Sequence, residues 1–504
     1  MLKNLLERYG KCLNTGYCIV YGKDFHLINS RMKEVSYFCK TNECNMLTVE
    51  KIGGTSMTQF DKVIDNIIKT SGPHIDLTHQ RVFVVSAYSG VTDWLLEHKK
   101  TGDPGVYSLF ALEKNYPLAL DQLLEKLLQL NQQYEKIGLD LIEAESFLRN
   151  RIEQAKTLLS SLSQVLASGY VNKVDIQLAA REILASIGEA HSAWNSVNIL
   201  QHQGIKAKFI DLSGWNDNEP LTIDERIRKE FSGIDLKEAI AIATGYTKGI
   251  EGIMRAFDRG YSEVTFSKIA VELKVDEAII HKEYHLSSAD PKIVGIENCK
   301  PVGKTNYIVA DQLADIGMEA IHPKASKPLE LAGINIRIKN TFEPHHEGTV
   351  ISRDYKSPEA KIELVSGSTH MLAVEVHDPL MVNEVGYDAR IMSYFQKHGV
   401  SYVFKSTNAN SITMVVWDNK NAHSLVEELK VNFYRVSDQP VALVCAIGSN
   451  IQGPGFLYRA AKAFYENGIN IECYGQSLMQ VNLQFVILRE HYNEAIKALN
   501  KALC

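Results

Sequence analysis

A lysine followed by a pair of glycines is the clearest chemical signal in this sequence. Residues 47–57 read LTVEKIGGTSM, in which a short extended run ends at Gly53 and Gly54, and a helix is predicted over residues 60–69. Glycines permit close backbone approach and a helix N-terminus offers unpaired N–H groups, so this turn is suited to bind an anion. Lys51 adds a mobile positive charge, which suits a phosphate group in transfer.

The order of residues in this turn differs from the common nucleotide-binding motifs. In a P-loop the lysine follows the glycines, whereas Lys51 precedes them, and the G-x-G-x-x-G dinucleotide fingerprint is absent from the turn. A lone Gly-Gly pair is also explained by an ordinary tight turn with no ligand. The interpretation therefore depends on the motifs that follow.

Composition excludes several classes of function. The 504 residues are enough for roughly three domains, and 45% hydrophobic and 23% charged residues are typical of a globular protein. A net charge of -6 with mixed signs argues against nucleic-acid and membrane-surface partners, and no apolar run reaches the ~18 residues of a membrane span. The eight scattered cysteines, without C-x-x-C, fit a reducing cytoplasm and predict neither disulfides nor a metal site.

A second candidate region follows the next predicted strand. Residues 80–87 form a nearly continuous β-branched run, as buried parallel strands do, and a loop of small hydroxyl residues follows with Ser86 and Thr92. Ligands bind beyond the carboxyl ends of such strands, so this loop is a plausible substrate site. A capped turn that leads into the next helix is the alternative.

Residues 105–200 are predicted to be helical, and their leucines recur at the spacing of packed helices. Glu189, beside a glycine in an apolar helix, needs a partner or a ligand and could hold an ammonium group, although a solvent-facing glutamate would read alike. Arg259 precedes Gly260 and Ser262 at a predicted helix start, where its guanidinium could clamp a carboxylate or a phosphate.

The last third of the chain changes character. After strands and helices that close a first domain near residue 355, a βαββα pattern occurs twice with a period of about 65 to 70 residues, which predicts paired ferredoxin-like modules. In each copy the first strand ends in a turn where a small effector amino acid could bind, at Asp378 in one copy and at Ser449, Asn450 and Gly453 in the other. Oligomerisation modules without a ligand are the alternative.

Four motifs in order resemble those of the aspartate kinases, in the amino-acid kinase family. They are K-I-G-G-T-S at 51–56, S-A-Y-S-G-V-T at 86–92, G-E-A-H-S at 188–192 and R-G-Y-S-E at 259–263. The resemblance covers roughly nine-tenths of the chain. It implies an α/β fold, in which a mostly parallel sheet between helices is followed by two ferredoxin-like βαββαβ ACT modules.

The domain boundaries predicted on this basis are an N-terminal extension at 1–45, a catalytic domain at 46–355, and ACT modules at 362–438 and 439–504. A helical insertion is expected at about 105–185 in the catalytic domain.

The resemblance also implies an activity. It is transfer of the γ-phosphate of ATP to the β-carboxylate of L-aspartate, giving 4-phospho-L-aspartate, with Mg²⁺ bridging phosphate oxygens. This is the first step toward lysine, threonine, methionine or ectoine, and an ectoine-associated enzyme is one specific expectation. Lysine or threonine is the expected effector, and a homodimer or homotetramer is expected to form through the ACT modules.

The site residues implied by the resemblance fall into three groups. The catalytic group is Lys51, Gly53 and Gly54. The substrate group is Ser86, Thr92, Glu189, Arg259, Ser262 and Glu263. The nucleotide group is Lys51, Gly54, Ser56, Ser287, Ser288, Asp290 and Lys292.

This sequence departs from the family pattern at three positions. Tyr261 stands where the family has glycine, Glu263 replaces an aspartate, and Glu319 replaces a common lysine before a His-Pro turn. Because a carboxylate at 319 would repel nucleotide phosphates, Lys292, Lys304 or Lys324 is expected to compensate.

Two other functions remain open at this point. One is a kinase for another acidic amino acid such as glutamate. The other is a catalytically impaired, kinase-like sensor of an effector, with Glu319 as the mark of lost nucleotide binding.

Overall fold

A computed structural model describes residues 10–12, 18–20, 46–69, 80–98, 101–215, 217–257, 260–318 and 320–504. The chain divides into two compact units, Met1–Leu47 and Thr48–Cys504. In the first unit, strand β1 (Gly10–Cys12) pairs antiparallel with β2 (Cys18–Val20). Most of the extension predicted at 1–45 lies outside the described residues.

The second unit contains an eight-stranded sheet with spatial order β5-β6-β4-β3-β7-β9-β10-β8. Its strands are β3 (Thr48–Ile52), β4 (Arg81–Val85), β5 (Ala207–Ile210), β6 (Ile240–Thr244), β7 (Glu277–Lys282), β8 (Lys304–Asn306), β9 (Asn335–Asn340) and β10 (Thr349–Ser352). All neighbours are parallel except β9 and β10. The sheet is therefore mostly parallel, as predicted.

Strands β3 and β4 occupy the centre of this sheet. Every residue of β4 is buried, and β3 is buried apart from Lys51, because both sheet faces are covered by helices. The two strands run in register, with Ile52 opposite Val85, so their carboxyl ends meet at one edge. That edge brings the residues after β3 close to the residues after β4.

The helices that accompany this sheet are α1 (Gly54–Thr58), α2 (Phe60–Val63), α3 (Val91–Leu95), α4 (Val106–Ala111), α5 (Tyr116–Gln132), α6 (Leu141–Ser168), α7 (Lys173–His202), α8 (Ile223–Phe231), α9 (Ile253–Phe257), α10 (Tyr261–Glu272), α11 (Pro291–Val294), α12 (Tyr307–Asp315) and α13 (Pro323–Ala332). The predicted helix at 60–69 is divided, since α2 passes into a π-helical turn, Ile64–Ile68. Helix α13 was not predicted, because its initial His-Pro was interpreted as a turn. Proline is well suited to the first helical position.

The helices predicted over 105–200 are confirmed, as α4 to α7. Side-chain caps start three of them, where Asn115, Asp140 and Asn172 each accept a hydrogen bond from the first turn. Several leucines of α5 and α6 face inward, among them Leu123, Leu127 and Leu148, which are buried. Among the described helices, none combines the length and the apolar character needed to cross a membrane.

A six-stranded antiparallel sheet forms the last third of the chain, with spatial order β12-β13-β11-β14-β16-β15. Its strands are β11 (Leu364–His377), β12 (Tyr402–Thr407), β13 (Ser411–Trp417), β14 (Arg435–Ile447), β15 (Cys473–Gln476) and β16 (Asn482–Leu488). The helices on it are α14 (Tyr387–His398), α15 (Lys420–Asn432), α16 (Phe456–Glu466) and α17 (Tyr492–Leu503).

The two ferredoxin-like modules share the long strands β11 and β14. The second half of β11 pairs with the first half of β14 and completes the first module, and the opposite halves complete the second module. Strand β11 starts at Leu364, close to the start predicted for the first module at residue 362. The predicted boundary between residues 438 and 439 falls inside β14, because that strand passes through both modules.

Candidate active site

A cavity of about 320 Å³ lies at the carboxyl edge of β3 and β4. Its walls come from the turn after β3, the loop after β4, helix α7 and the start of helix α10. The lining residues are Lys51, Gly54, Thr55, Ser86, Ala87, Tyr88, Ser89, Gly90, Thr92, Asp93, Glu189, Gly260, Tyr261, Ser262 and Glu263. Seven predicted site residues therefore meet in one cavity, although they are distributed over more than 200 positions.

The fold requires glycine at only one of the two positions after β3. A Cβ on Gly54 would lie 2.6 Å from the carbonyl oxygen of Ala87, so the fold itself requires glycine there. Gly53 has φ -72, and the nearest atom to an added Cβ is 3.8 Å away, so alanine would also fit the fold. No side chain caps helix α1, which begins here. The spare room at Gly53 leaves the backbone open to a ligand.

Lys51 and Glu263 form an ion pair at the edge of the cavity. The Lys51 Nζ lies 3.2 Å from Glu263 Oε1, and each side chain is 13% exposed. The backbone N–H of His322 donates to the other oxygen of Glu263, at 2.7 Å. Burial opposes the ionisation of Glu263, but the charges of Lys51 and Lys282 outweigh it and lower the pKa of Glu263. The pair therefore holds the ammonium of Lys51 in place.

Glu189 is a buried carboxyl group in the opposite wall. Helix α7 supplies it, and the Ser262 hydroxyl donates to its Oε1 at 2.5 Å. Burial raises the pKa of Glu189 to about 8, although the hydrogen bond from Ser262 and the charge of Lys51 lower it. Its Oε2 is buried and has no hydrogen-bond partner among the described residues. An ammonium donor in the cavity would satisfy this oxygen.

A buried charge network supports β3 beneath the site. Arg81 donates to both carboxylate oxygens of Glu50, at 2.6 and 2.9 Å, and His281 approaches Glu50 Oε2 at 2.7 Å. Burial raises the pKa of Glu50, but Arg81 and His281 outweigh burial and the net shift is downward. Because Glu50 precedes Lys51, this network fixes the strand that carries the lysine.

The remaining predicted residues of the turn and of the substrate group have separate positions. Ser56 is buried beneath the cavity, where its hydroxyl lies 3.1 Å from that of Thr341 and 3.3 Å from Glu283. Arg259 and Glu319 lie outside the described residues, so their expected roles remain predictions.

The predicted nucleotide residues Ser287, Ser288, Asp290 and Lys292 do not line the cavity. Ser288 is 2% exposed, and its hydroxyl donates to Asn500 Oδ1 at 2.9 Å. Asp290 caps helix α11 by accepting from the N–H of Lys292. Ala289 belongs to the apolar core of the second ferredoxin-like module. This segment thus contacts the C-terminal module, and its role toward nucleotide stays a prediction.

The two predicted effector turns differ in how far the chain itself occupies them. Asp378 accepts from the Tyr387 hydroxyl at 2.7 Å in the first module. In the second module, Ser449 donates to Glu363 and accepts from the N–H of Ser357, and Asn450 donates to the carbonyl of Ser357.

The linker between β10 and β11 also packs on Gly453, since a Cβ there would lie 3.4 Å from the Cβ of Ala360. The linker thus fills much of the second turn.

Eight of the fifteen lining residues were not predicted as site residues, and three of them illustrate the reason. Thr55, Tyr88 and Asp93 lie in or beside the motifs already identified, but no residue-type pattern distinguishes them from neighbouring loop residues. The described residues hold no group of three or more His, Cys, Asp or Glu side chains suited to a metal ion.

Comparisons with known proteins agree with this geometry. The profile of the amino acid kinase family matches residues 46–340, and that of the ACT domain matches residues 444–503. The chain is 44% identical over 467 residues to "Aspartate kinase Ask_Ect" of Stutzerimonas stutzeri (strain A1501), which covers 91% of this chain and 97% of that protein.

Two solved structures of E. coli aspartokinase III share the fold. The complex with aspartate and ADP (R-state) has a TM-score of 0.67 at 19% identity, over 91% of this chain and 99% of that chain. The complex with lysine and aspartate (T-state) has a TM-score of 0.63 at 19% identity, over the same shares.

Proposed function

Because this chain belongs to the amino acid kinase family and, within it, to the aspartate kinases, we propose that it transfers the γ-phosphate of ATP to the β-carboxylate of L-aspartate. The product is 4-phospho-L-aspartate, at the head of the aspartate-derived amino-acid pathways. The observation that carries this proposal is that Lys51, the glycine turn and Glu189 line one cavity.

The turn after β3 would bind the phosphate group in this reaction. Phosphoryl transfer asks a protein mainly for positioning and for stabilisation of negative charge, so no covalent nucleophile is required. The backbone N–H groups at Gly53 and Gly54 would contact the phosphate, and the ammonium of Lys51 would neutralise charge as it develops. Glu263 keeps that ammonium oriented until the nucleotide arrives. Mg²⁺ enters as part of the ATP substrate.

The cavity wall opposite this turn would bind the amino acid. The unpaired Oε2 of Glu189 is the acceptor for the α-ammonium of aspartate, and Ser262 fixes the carboxyl group through its other oxygen. Ser86 and Thr92 supply hydroxyl groups toward the substrate carboxylates. Arg259 would clamp a carboxylate, and Ser287, Ser288, Asp290 and Lys292 would contact nucleotide.

Regulation by an amino acid, lysine or threonine, is part of the proposal. The first-module turn at Asp378 is the better candidate, because the linker occupies much of the turn at Ser449. The proposal also includes association of two or four chains through the ACT modules and service of an ectoine pathway, both of which rest on the resemblance.

A coupled ADP-release assay with L-aspartate, ATP and Mg²⁺ tests this function. We expect turnover in the parent enzyme and a loss of about 10²-fold or more in Lys51→Ala, because the charge-stabilising ammonium is gone. The matched control is Lys237→Ala, which removes an exposed lysine in a surface loop and should leave turnover unchanged.

Two further arms separate the alternatives. L-glutamate in place of L-aspartate tests for a kinase of another acidic amino acid. A folded parent that binds lysine or threonine by calorimetry, yet shows neither turnover nor ATP binding, would contradict the proposal and favour a sensor.

A further inference from the structure

Tyr134 contacts two different walls of the cavity at once. It lies just after helix α5 of the insertion and is 3% exposed. Its ring stacks on the ring of Tyr88, with centroids 4.8 Å apart and an interplanar angle of 21°. Its hydroxyl donates to the carbonyl oxygen of Thr58, at 3.3 Å. Tyr88 belongs to the loop after β4, and Thr58 ends the helix that begins at the glycine turn.

These two walls would hold different reactants. The loop after β4 carries the hydroxyls proposed for aspartate, and helix α1 carries the turn proposed for phosphate. They also touch directly, since the N–H of Ser89 donates to Thr58 Oγ1 at 3.1 Å and Gly54 packs on the carbonyl of Ala87. Tyr134 packs over this contact between the two walls from the side of the insertion. It can therefore set the distance between them.

A buried polar cluster holds Tyr134 and its neighbours against helix α7. Asn131 Oδ1 lies 2.7 Å from His191 Nε2 and accepts from Asn195 Nδ2 at 2.8 Å, and the ring of His191 meets that of Tyr88 edge to face. Burial lowers the pKa of His191 to about 3, so this imidazole stays neutral at physiological pH.

The same cluster leaves buried polar atoms without a partner in the described part of the chain, among them Asn131 Nδ2 and His191 Nδ1. Unpaired buried polar atoms lower the stability of the fold, and apolar side chains of similar size would avoid this cost. His191 lies only two residues after Glu189 on helix α7. The cluster therefore joins the insertion to the helix that carries the proposed ammonium acceptor, and a role in packing alone does not account for its polarity.

We propose that Tyr134 is a positioning residue for phosphoryl transfer, through which the helical insertion fixes the substrate loop against the glycine turn. The ring holds Tyr88 and the hydroxyl holds Thr58, so the two reactants are kept at reacting distance. The inference rests on the proposed function and deepens it. It predicts that the insertion contributes to turnover while no part of Tyr134 touches a substrate.

Two substitutions separate the ring from the hydroxyl. Tyr134→Phe keeps the stack and removes one hydrogen bond, and we expect kcat to fall about threefold. Tyr134→Leu removes both contacts, and we expect kcat to fall about 30-fold or more at saturating substrates. The affinity for ADP, measured by calorimetry, should stay within about twofold in both variants, because the glycine turn itself is intact. Tyr170→Phe, at a 94% exposed tyrosine of the insertion, is the matched control.

The outcomes distinguish this inference from the proposed function. Parent turnover with the graded loss from Phe to Leu and unchanged ADP affinity supports Tyr134 as a positioning residue. If the parent enzyme turns over and Tyr134→Leu has the same kcat, the inference is overturned while the proposed function stands. A kcat loss in Tyr134→Leu that comes with an equal loss of ADP affinity shows general disruption and also overturns it. A folded parent without turnover refutes both.

Discussion

Binding of L-aspartate should expel a proton from Glu189. This carboxyl group is buried in the cavity wall, and burial raises its pKa to about 8 against the opposing effects of Ser262 and Lys51. In the free enzyme it is therefore mostly neutral at pH 7. An ammonium group placed beside it favours the ionised form, so the pKa falls when the substrate binds and the proton leaves.

The size of the effect follows from the pKa. With a value of about 8, about 0.9 of the Glu189 carboxyls carry a proton at pH 7 and about 0.25 at pH 8.5. An opposite charge at close range lowers a carboxyl pKa by roughly 1–3 units, and a fall of about 2 units leaves about 0.1 protonated at pH 7 in the complex. We expect release of about 0.8 proton per site at pH 7 and about 0.2 at pH 8.5.

Isothermal titration calorimetry measures this release directly. L-Aspartate is titrated into the enzyme at each pH in two phosphate-free buffers of different ionisation enthalpy, and the difference in heat between buffers gives the number of protons. Succinate, which lacks the ammonium group, should bind without proton release, and Glu189→Gln should remove the pH dependence. Equal proton release at both pH values, or equal release by succinate and aspartate, would refute the reasoning.

The same pKa has a consequence for stability. Because Glu189 has a folded pKa above its ordinary value of 4.5, its contribution to stability is full below about pH 4.5 and is lost as pH rises toward 8. Between these values the native state binds more protons than the unfolded state. The thermal midpoint of Glu189→Gln relative to that of the parent should therefore rise with pH over this window.

Three further substitutions test individual contacts. Gly53→Ala should leave the thermal midpoint unchanged but lower turnover, whereas Gly54→Ala, with a backbone oxygen 2.6 Å from the new Cβ, should also destabilise the fold by about 1–3 kcal/mol in urea denaturation. Arg81→Met should cost about 3–5 kcal/mol, because it leaves the carboxylate of Glu50 buried without its guanidinium partner; a smaller loss at equal m-value would contradict this network. Glu363→Ala should lower the thermal midpoint, because the buried hydroxyl of Thr305 and the buried N–H of Ser449 lose the carboxylate that accepts their hydrogen bonds.

Much of the fold could be predicted because its signals are local. The buried β-branched run gave β4, and the alternation of strands and helices gave the parallel sheet. The repeated βαββα pattern could also be predicted, since elements such as β13 and α17 have a strong hydrophobic period between clear boundaries. Strand β10 was missed, because four residues are too few to show a hydrophobic alternation.

The candidate site was predictable to the extent that each residue lies in a short motif. Lys51, Glu189 and Ser262 were identified in this way and meet in the cavity. The position of Ser288 could not be predicted, because its partner Asn500 is 212 positions away and no motif records that contact. Tyr134 was missed for the same reason, since its importance lies in contacts to loops that follow other strands.

The shared strands of the C-terminal sheet have a consequence for the order of folding. The first half of β11 pairs with the second half of β14, so Leu364 meets Ile447 across about 80 intervening residues. During synthesis, residues 364–368 must stay unpaired until the whole first module has emerged. Such distant pairing is slow, and it joins both modules into one cooperative unit that no single cut can divide. A chain that ends near residue 438 would therefore lose its second module and also leave the exposed edge of β11 open to aggregation.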